Sequence, residues 1–136
     1  MYFPDTNVFS FHLRGRDPVL SARLTRAVEA GELRLSLIVL CELRYGAEKA
    51  LLNRKKRPAD RVAKLQRSVP VELVPEDAAV HYGRLRAHLE ASGCLIGAMG
   101  MLLAAHALAV DAVVVTGNIG EFKRVPGLNV ENWHGR

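Results

Sequence analysis

At 136 residues, 49% of them apolar and 24% charged, the chain can bury a core, which excludes disorder, and its length is that of one domain spanning 1–136. No apolar run reaches the roughly 18 residues of a membrane span, and "MYFPDTNVF" lacks the basic and apolar regions of a secretory signal, so a cytoplasmic location is expected. The net charge of +5 admits a polyanionic partner without requiring one.

Tyr2 to Asp5 reads as a first strand, with Pro4 an awkward member because proline removes a ladder donor. Asn7 to Leu13 reads as a short helix. In "DPVLSARLTRAVEAG", Asp17 can cap a helix, Pro18 suits its first position and Gly31 can end it. Leu33 to Ser36 is a second short strand, and Ser36 caps the helix "LIVLCELRYGAEKALL". Asn53 to Arg61 carries five basic residues against one acid, either a solvated loop or a contact for nucleic acid. Asp60 to Ser68 is a further helix and Val71 to Val74 a third strand. Pro75 and Glu76 open a long helix that stops at Gly93. "IGAMGMLLAAHALAV", Ile96 to Val110, reads as an amphipathic helix of strong helix formers, interrupted by Gly100 at a cost of about 1 kcal/mol relative to alanine. "AVVVTGN" is a β-branched strand; "VPGL" is a turn, and Leu128 to Glu131 an edge strand.

Strands alternating with helices predict a parallel α/β sheet covered on both faces, with ligands beyond the carboxyl ends of its strands. No glycine-rich phosphate loop and no GxSxG elbow is present. Cys41 and Cys94 have no metal-ligand spacing and read as ordinary buried thiols. None of the histidines shows metal spacing, and His106, inside "LAAHALA", reads as a satisfied core or near-surface residue.

Three oxygen-bearing residues, Asp5, Asn118 and Glu121, fall where such a sheet binds ligands, and a fourth, Glu42, stands out on a helix. Asp5 ends the first strand, where it serves as a helix cap or as a site carboxylate. Glu42 has Ile38, Val39, Tyr45 and Gly46 as its helical neighbours, so it interrupts an apolar face. A carboxylate there needs a buried cationic partner or a bound cation. Arg44 and Glu48, on another face, can pair at i,i+4. Asn118 and Glu121 follow the β-branched strand. Together these donors suit a hard cation such as Mg2+ or Mn2+.

"DTNVFS", "ELRYGA", "AAHALA" and "EFKRVPGLNVENW" resemble, in this order and over nearly the whole chain, the PIN-domain ribonucleases, and more narrowly the VapC-type toxins of bacterial toxin–antitoxin pairs. The resemblance implies a PIN-like α/β/α sandwich with a mainly parallel sheet and divalent-metal-dependent cleavage of RNA. It implies a cognate antitoxin as partner and a homodimer. Asp5 matches the first acidic metal ligand and Glu42 the second. Asn118 and Glu121 fall in the segment that supplies the fourth group, with Glu121 the acid and Asn118, Thr6 and Asn7 supporting. The third acid is absent: the pattern resembles "IGxxDxxIAAHA", and Gly100 stands at the aspartate. Asp111, about 16 Å further along the helix at 1.5 Å per residue, does not replace it. Gly117 stands where an Asn is common, and Pro4 where an aliphatic residue is. The expectation is therefore an Mg2+- or Mn2+-dependent endoribonuclease whose activity Gly100 impairs. The alternative is a catalytically inactive PIN-fold module that pairs with an antitoxin.

Overall fold

The computed structural model describes residues 1–53 and 58–135. Four of the basic residues of the 53–61 segment, at 54–57, lie outside the described residues. In chain order the elements are β1 (Tyr2–Pro4), α1 (Thr6–Leu13), α2 (Pro18–Glu29), β2 (Leu35–Ser36), α3 (Leu37–Leu52), α4 (Pro58–Ser68), β3 (Val71–Glu72), α5 (Ala78–Ala91), α6 (Ala98–Val110), β4 (Val113–Val115), α7 (Ile119–Phe122) and β5 (Val130–Glu131).

All strand pairings are parallel: β1 with β4, β4 with β5, and β2 with β3. A parallel bridge between Tyr2 and Leu33 ties the two sets together, so the strands run laterally in the order β3-β2-β1-β4-β5. The chain moves outward from β1 to β2 and β3, then returns to the other side of β1. The strand order thus reverses between β1 and β4, and an open parallel sheet binds its ligands in the crevice at such a point. Phe3, Leu35, Val114 and Val115 are fully buried along these strands, each burial worth about 1.5–3 kcal/mol.

The local signals are visible at the helix ends. Asp17 accepts the Leu20 N–H at 3.0 Å, with Pro18 at the first helical position. Gly31 leaves α2 at φ 71°, a conformation that suits a residue without a β-carbon. The Ser36 hydroxyl caps α3 by accepting the Ile38 N–H at 3.2 Å. Pro4 costs the sheet nothing on the β4 side. Tyr2 exchanges both backbone bonds with the β2 side, while the Asp5 N–H donates to Val115. Alternation turns Pro4 towards β2, and the bonds on that side stop at Arg34 N–H to Tyr2 O, as expected where the next residue has no N–H to donate.

Three expectations need correction. The helix at 98–110 is not amphipathic: Met101, Leu103, Ala104, Ala105, His106 and Ala107 are all buried. It packs against both α5 and α3, and its alanines permit that close approach on several sides. Cys41 and Cys94 are both exposed free thiols rather than buried ones. The strands at 2–5, 33–36 and 71–74 are shorter than predicted, each giving way to a cap, bridge or turn.

Candidate active site

Asp5 leaves β1 in extended conformation, φ −76° and ψ 174°, and caps α1. Of the two roles open to it, the cap is the one observed. Oδ1 accepts the Val8 N–H at 2.9 Å, and Oδ2 accepts the Thr116 hydroxyl proton at 2.5 Å. The residue is only 9% exposed. Burial pushes its carboxyl above the ordinary 3.8; the bonds from Thr116 and Val8, the charge of His134 and the Asn7 backbone pull it partly back. The Asn7 side chain itself lies in solvent.

Thr116 begins the turn after β4 and is fully buried. Its oxygen also accepts the Asn118 N–H at 2.9 Å. The Asn118 side-chain amide then donates to Glu121 Oε2 at 2.7 Å. A continuous chain of hydrogen bonds therefore joins Asp5, Thr116, Asn118 and Glu121. Glu42 enters from α3: the Thr6 hydroxyl, one residue beyond Asp5, donates to its Oε1 at 2.7 Å.

Glu42 does not interrupt the buried stripe of α3, which is formed by Val39, Leu40, Leu43 and Ala47. It flanks that stripe, half-buried, beside an exposed Gly46 and a Tyr45 that is 67% exposed. A flanking position needs no buried counter-cation, and among the described residues Glu42 forms no ion pair. Nor does Arg44 pair with Glu48 there; its guanidinium donates to Gln66 at 2.9 Å. Glu42 and Thr6 line a groove of about 450 Å3 together with Arg14, Leu43, Gly46 and Arg61. A larger cavity of about 600 Å3 has an apolar floor of Phe9, Leu24 and Leu65 and contains none of the site carboxylates.

Gly100 lies in the first turn of α6. A β-carbon added there would sit 3.6 Å from Ile96 Cδ1 and 3.7 Å from Phe122 Cζ, ordinary contact distances. A β-carbon at position 100 would therefore pack against Ile96 and against Phe122 of α7, the short helix that also carries Glu121. Among the described residues, no three His, Cys, Asp or Glu side chains gather closely enough to hold an ion. The donor set still fits a cation of the Mg2+ type, which binds through one or two carboxylates and completes its shell with water and substrate phosphate. Asp5 supplies a desolvated carboxylate with no ion-pair partner among the described residues.

Two residues escaped the sequence reading. Thr116 carried a signal, since a hydroxyl directly after a buried parallel strand stands at the ligand edge. His134 carried none. Its Nδ1 lies 3.3 Å from Asp17 Oδ2, and a β-carbon on Gly117 would lie 3.2 Å from its Cδ2 and Nε2. The C-terminal segment thus returns to the turn that follows Thr116.

Residues 2–128 match the family model described as PIN domain. The chain belongs to the PIN-domain family. Among relatives, this PIN domain is similar to "Ribonuclease VapC2" of Rickettsia felis, at 35% identity over 136 residues and 98% of each chain. It is similar to the "tRNA(fMet)-specific endonuclease VapC" of Salmonella typhimurium, at 33% over 132 residues and 95% of each. Its backbone matches the Rickettsia felis VapBC2 complex bound to a promoter DNA fragment with a TM-score of 0.88 at 32% identity, covering 97% of this chain and 98% of that one. Within the PIN family it therefore sits among the VapC-type ribonucleases, and the parallel α/β fold expected from its sequence is the fold observed.

Proposed function

We propose that this PIN domain is the toxin of a type II toxin–antitoxin pair, an endoribonuclease of the VapC type whose chemistry Gly100 has weakened. The observation that carries the reading is the pairing of an intact support network with one missing side chain. Asp5, Glu42 and Glu121 are each held by a hydrogen-bonding neighbour, while a β-carbon at position 100 would fit in ordinary contact with Ile96 and Phe122.

Asp5 and Glu42 are the residues that would hold a divalent cation, Mg2+ or Mn2+, with Glu121 at the far end of the network. Such an ion supplies Lewis-acid activation of water and charge stabilisation at the scissile phosphate. The protein's own groups do the rest. Thr116 fixes the Asp5 carboxylate and Thr6 fixes Glu42, so neither must reorganise when substrate arrives. Asn118 orients Glu121. Arg14 and Arg61, in the groove beside Glu42, are placed to hold the RNA backbone.

The names of the relatives support RNA as substrate, and the VapBC neighbour supports a cognate antitoxin as partner. We place the chain in the cytoplasm as a homodimer, in one domain. No helix among the described residues is long and apolar enough to cross a membrane.

A second reading, a non-catalytic module that only pairs with the antitoxin, is favoured by the lack of a three-acid cluster among the described residues. Gly100→Asp separates the two. On the ribonuclease reading, the variant binds Mn2+ about tenfold or more tightly by calorimetry, since added ligand charge sets affinity, and it cleaves RNA faster than the parent. Equal, negligible heats and no cleavage in either protein would establish the binding module.

A further inference from the structure

Phe11 has no place in the network above. Val8 and Phe9 turn the buried face of α1 to the core, whereas Phe11 is 38% exposed. It does not stand alone. The guanidinium of Arg14 lies over its ring, 5.8 Å from the centroid. The His134 imidazole meets the ring nearly edge-on, with centroids 5.3 Å apart and planes at 81°. That imidazole is fixed. Asp17 Oδ2 lies 3.3 Å from its Nδ1 and also accepts the Gly135 N–H at 2.9 Å.

The cluster borders the acidic site on two sides. The Cδ2–Nε2 edge of His134 rests on Gly117, the neighbour of Thr116, which holds Asp5. Gly117 itself makes room for the ring, because a side chain there would crowd it. Arg14 lines the groove that contains Thr6 and Glu42. One imidazole therefore separates Phe11 from the Asp5 turn, and one guanidinium connects it to the Glu42 groove.

We propose that Phe11, braced by His134 and Arg14, is a stacking platform for an unpaired nucleobase beside the scissile phosphate, with Arg14 contacting that nucleotide's phosphate. This rests on the ribonuclease reading and deepens it: the substrate is RNA unpaired at the cleavage site. Proteins that read single-stranded RNA stack splayed bases on aromatic rings and guanidinium planes, and they neutralise the adjoining phosphates with cations. An exposed ring, an arginine on its face and a clamped partner ring at the mouth of a phosphodiester site supply those parts. Charge favours a nucleic acid over an acid-binding or apolar partner, since Arg14 lies over the ring and both Arg14 and the nearby Arg16 are exposed.

The test is binding in the presence of EDTA, where cleavage cannot intervene. Fluorescence anisotropy is read with an unpaired RNA oligomer, the same oligomer with one abasic nucleotide, and an RNA duplex of equal length. Phe11→Leu is expected to weaken the unpaired RNA about 5- to 100-fold, to change duplex binding less than about twofold, and to lose nothing further on the abasic oligomer. Phe11→Trp restores affinity. Equal binding of the unpaired oligomer by Phe11→Leu and the parent would overturn the platform alone, as would an equal loss on duplex. If the parent binds neither RNA and Gly100→Asp cleaves none, the ribonuclease reading falls first and this proposal with it.

Discussion

Thr116 donates its hydroxyl proton to Oδ2 of Asp5 at 2.5 Å, although the two residues are 111 positions apart in the chain. The sheet explains the meeting. Pro4 and Val115 are register partners in parallel neighbours, so the residues that follow them emerge side by side at the carboxyl edge. The same oxygen of Thr116 accepts the Asn118 N–H, which fixes the hydroxyl's direction and leaves its proton to Asp5. The carboxylate is thus aimed before any ligand arrives.

That arrangement costs stability, and the cost can be measured. Burial raises the Asp5 carboxyl above 3.8, so the folded chain holds this proton more tightly than the unfolded chain does. The stability contribution is complete below pH 3.8 and is lost as pH rises through the folded value. At neutral pH the ionised group therefore works against folding. Asp5→Asn keeps a capping oxygen for Val8 and removes the charge. In EDTA it is expected to unfold at higher urea concentration than the parent at pH 7, with the difference narrowing towards pH 4. In the Gly100→Asp background, the same substitution abolishes RNA cleavage. A parent more stable than Asp5→Asn at pH 7 would show that the protein solvates this carboxylate better than its burial implies.

Thr6 is expected to matter through Glu42 alone. Its hydroxyl donates to Oε1 of that half-buried carboxylate at 2.7 Å, a bond to a charged group that positions one of the residues proposed to hold the cation. Thr6→Val removes the bond at similar volume. Stability should fall by about 0.5–1.5 kcal/mol, and Mn2+ affinity in the Gly100→Asp background by about tenfold or more. Thr6→Ser, which keeps the hydroxyl, should retain both. Urea unfolding and calorimetry on the three proteins distinguish a positioning role from a merely structural one, because the latter would lower stability without moving ion affinity.

Much of this architecture was legible because its signals are local. Asp17–Pro18, Ser36 and Gly31 announce helix ends through chemistry confined to three or four residues, and those ends stand where they were expected. The β-branched run before Thr116 marked a buried strand, and the ligand edge followed from parallel order. Contacts between distant residues were not legible. Glu42 looked interior because its neighbours at i±3 and i±4 include Ile38, Tyr45 and Gly46, yet which face of α3 turns inward is decided by what α3 packs against. His134 joins the site only because the chain folds back on Asp17, and no spacing in the sequence encodes that return. Cys41 and Cys94 were misplaced for a related reason: a small apolar side chain on a helix or in a loop carries no mark of the side it faces.

His106 shows how a buried polar group supports the site from a distance. Its ring is fully buried against Phe3, with centroids 4.7 Å apart. Nε2 lies 3.0 Å from the Leu73 carbonyl, which can only accept, so Nε2 carries the proton. Nδ1 is then left to accept the Ser36 hydroxyl at 2.8 Å, and Ser36 in turn caps the helix that bears Glu42. Burial lowers the imidazole below its ordinary 6.5. Its contribution is therefore present above pH 6.5 and is lost as pH falls through the folded value, because the unfolded chain takes up the proton first. His106→Ala leaves a cavity and strands both Ser36 and Leu73. It is expected to lower unfolding stability at pH 7.5 by about 2–4 kcal/mol, with a smaller deficit at pH 5, where the parent has lost its own advantage. Urea unfolding of the two proteins at both values decides the matter: a deficit that stays constant with pH would mean that the imidazole ionises alike in the folded and unfolded chain, contrary to its place in the core.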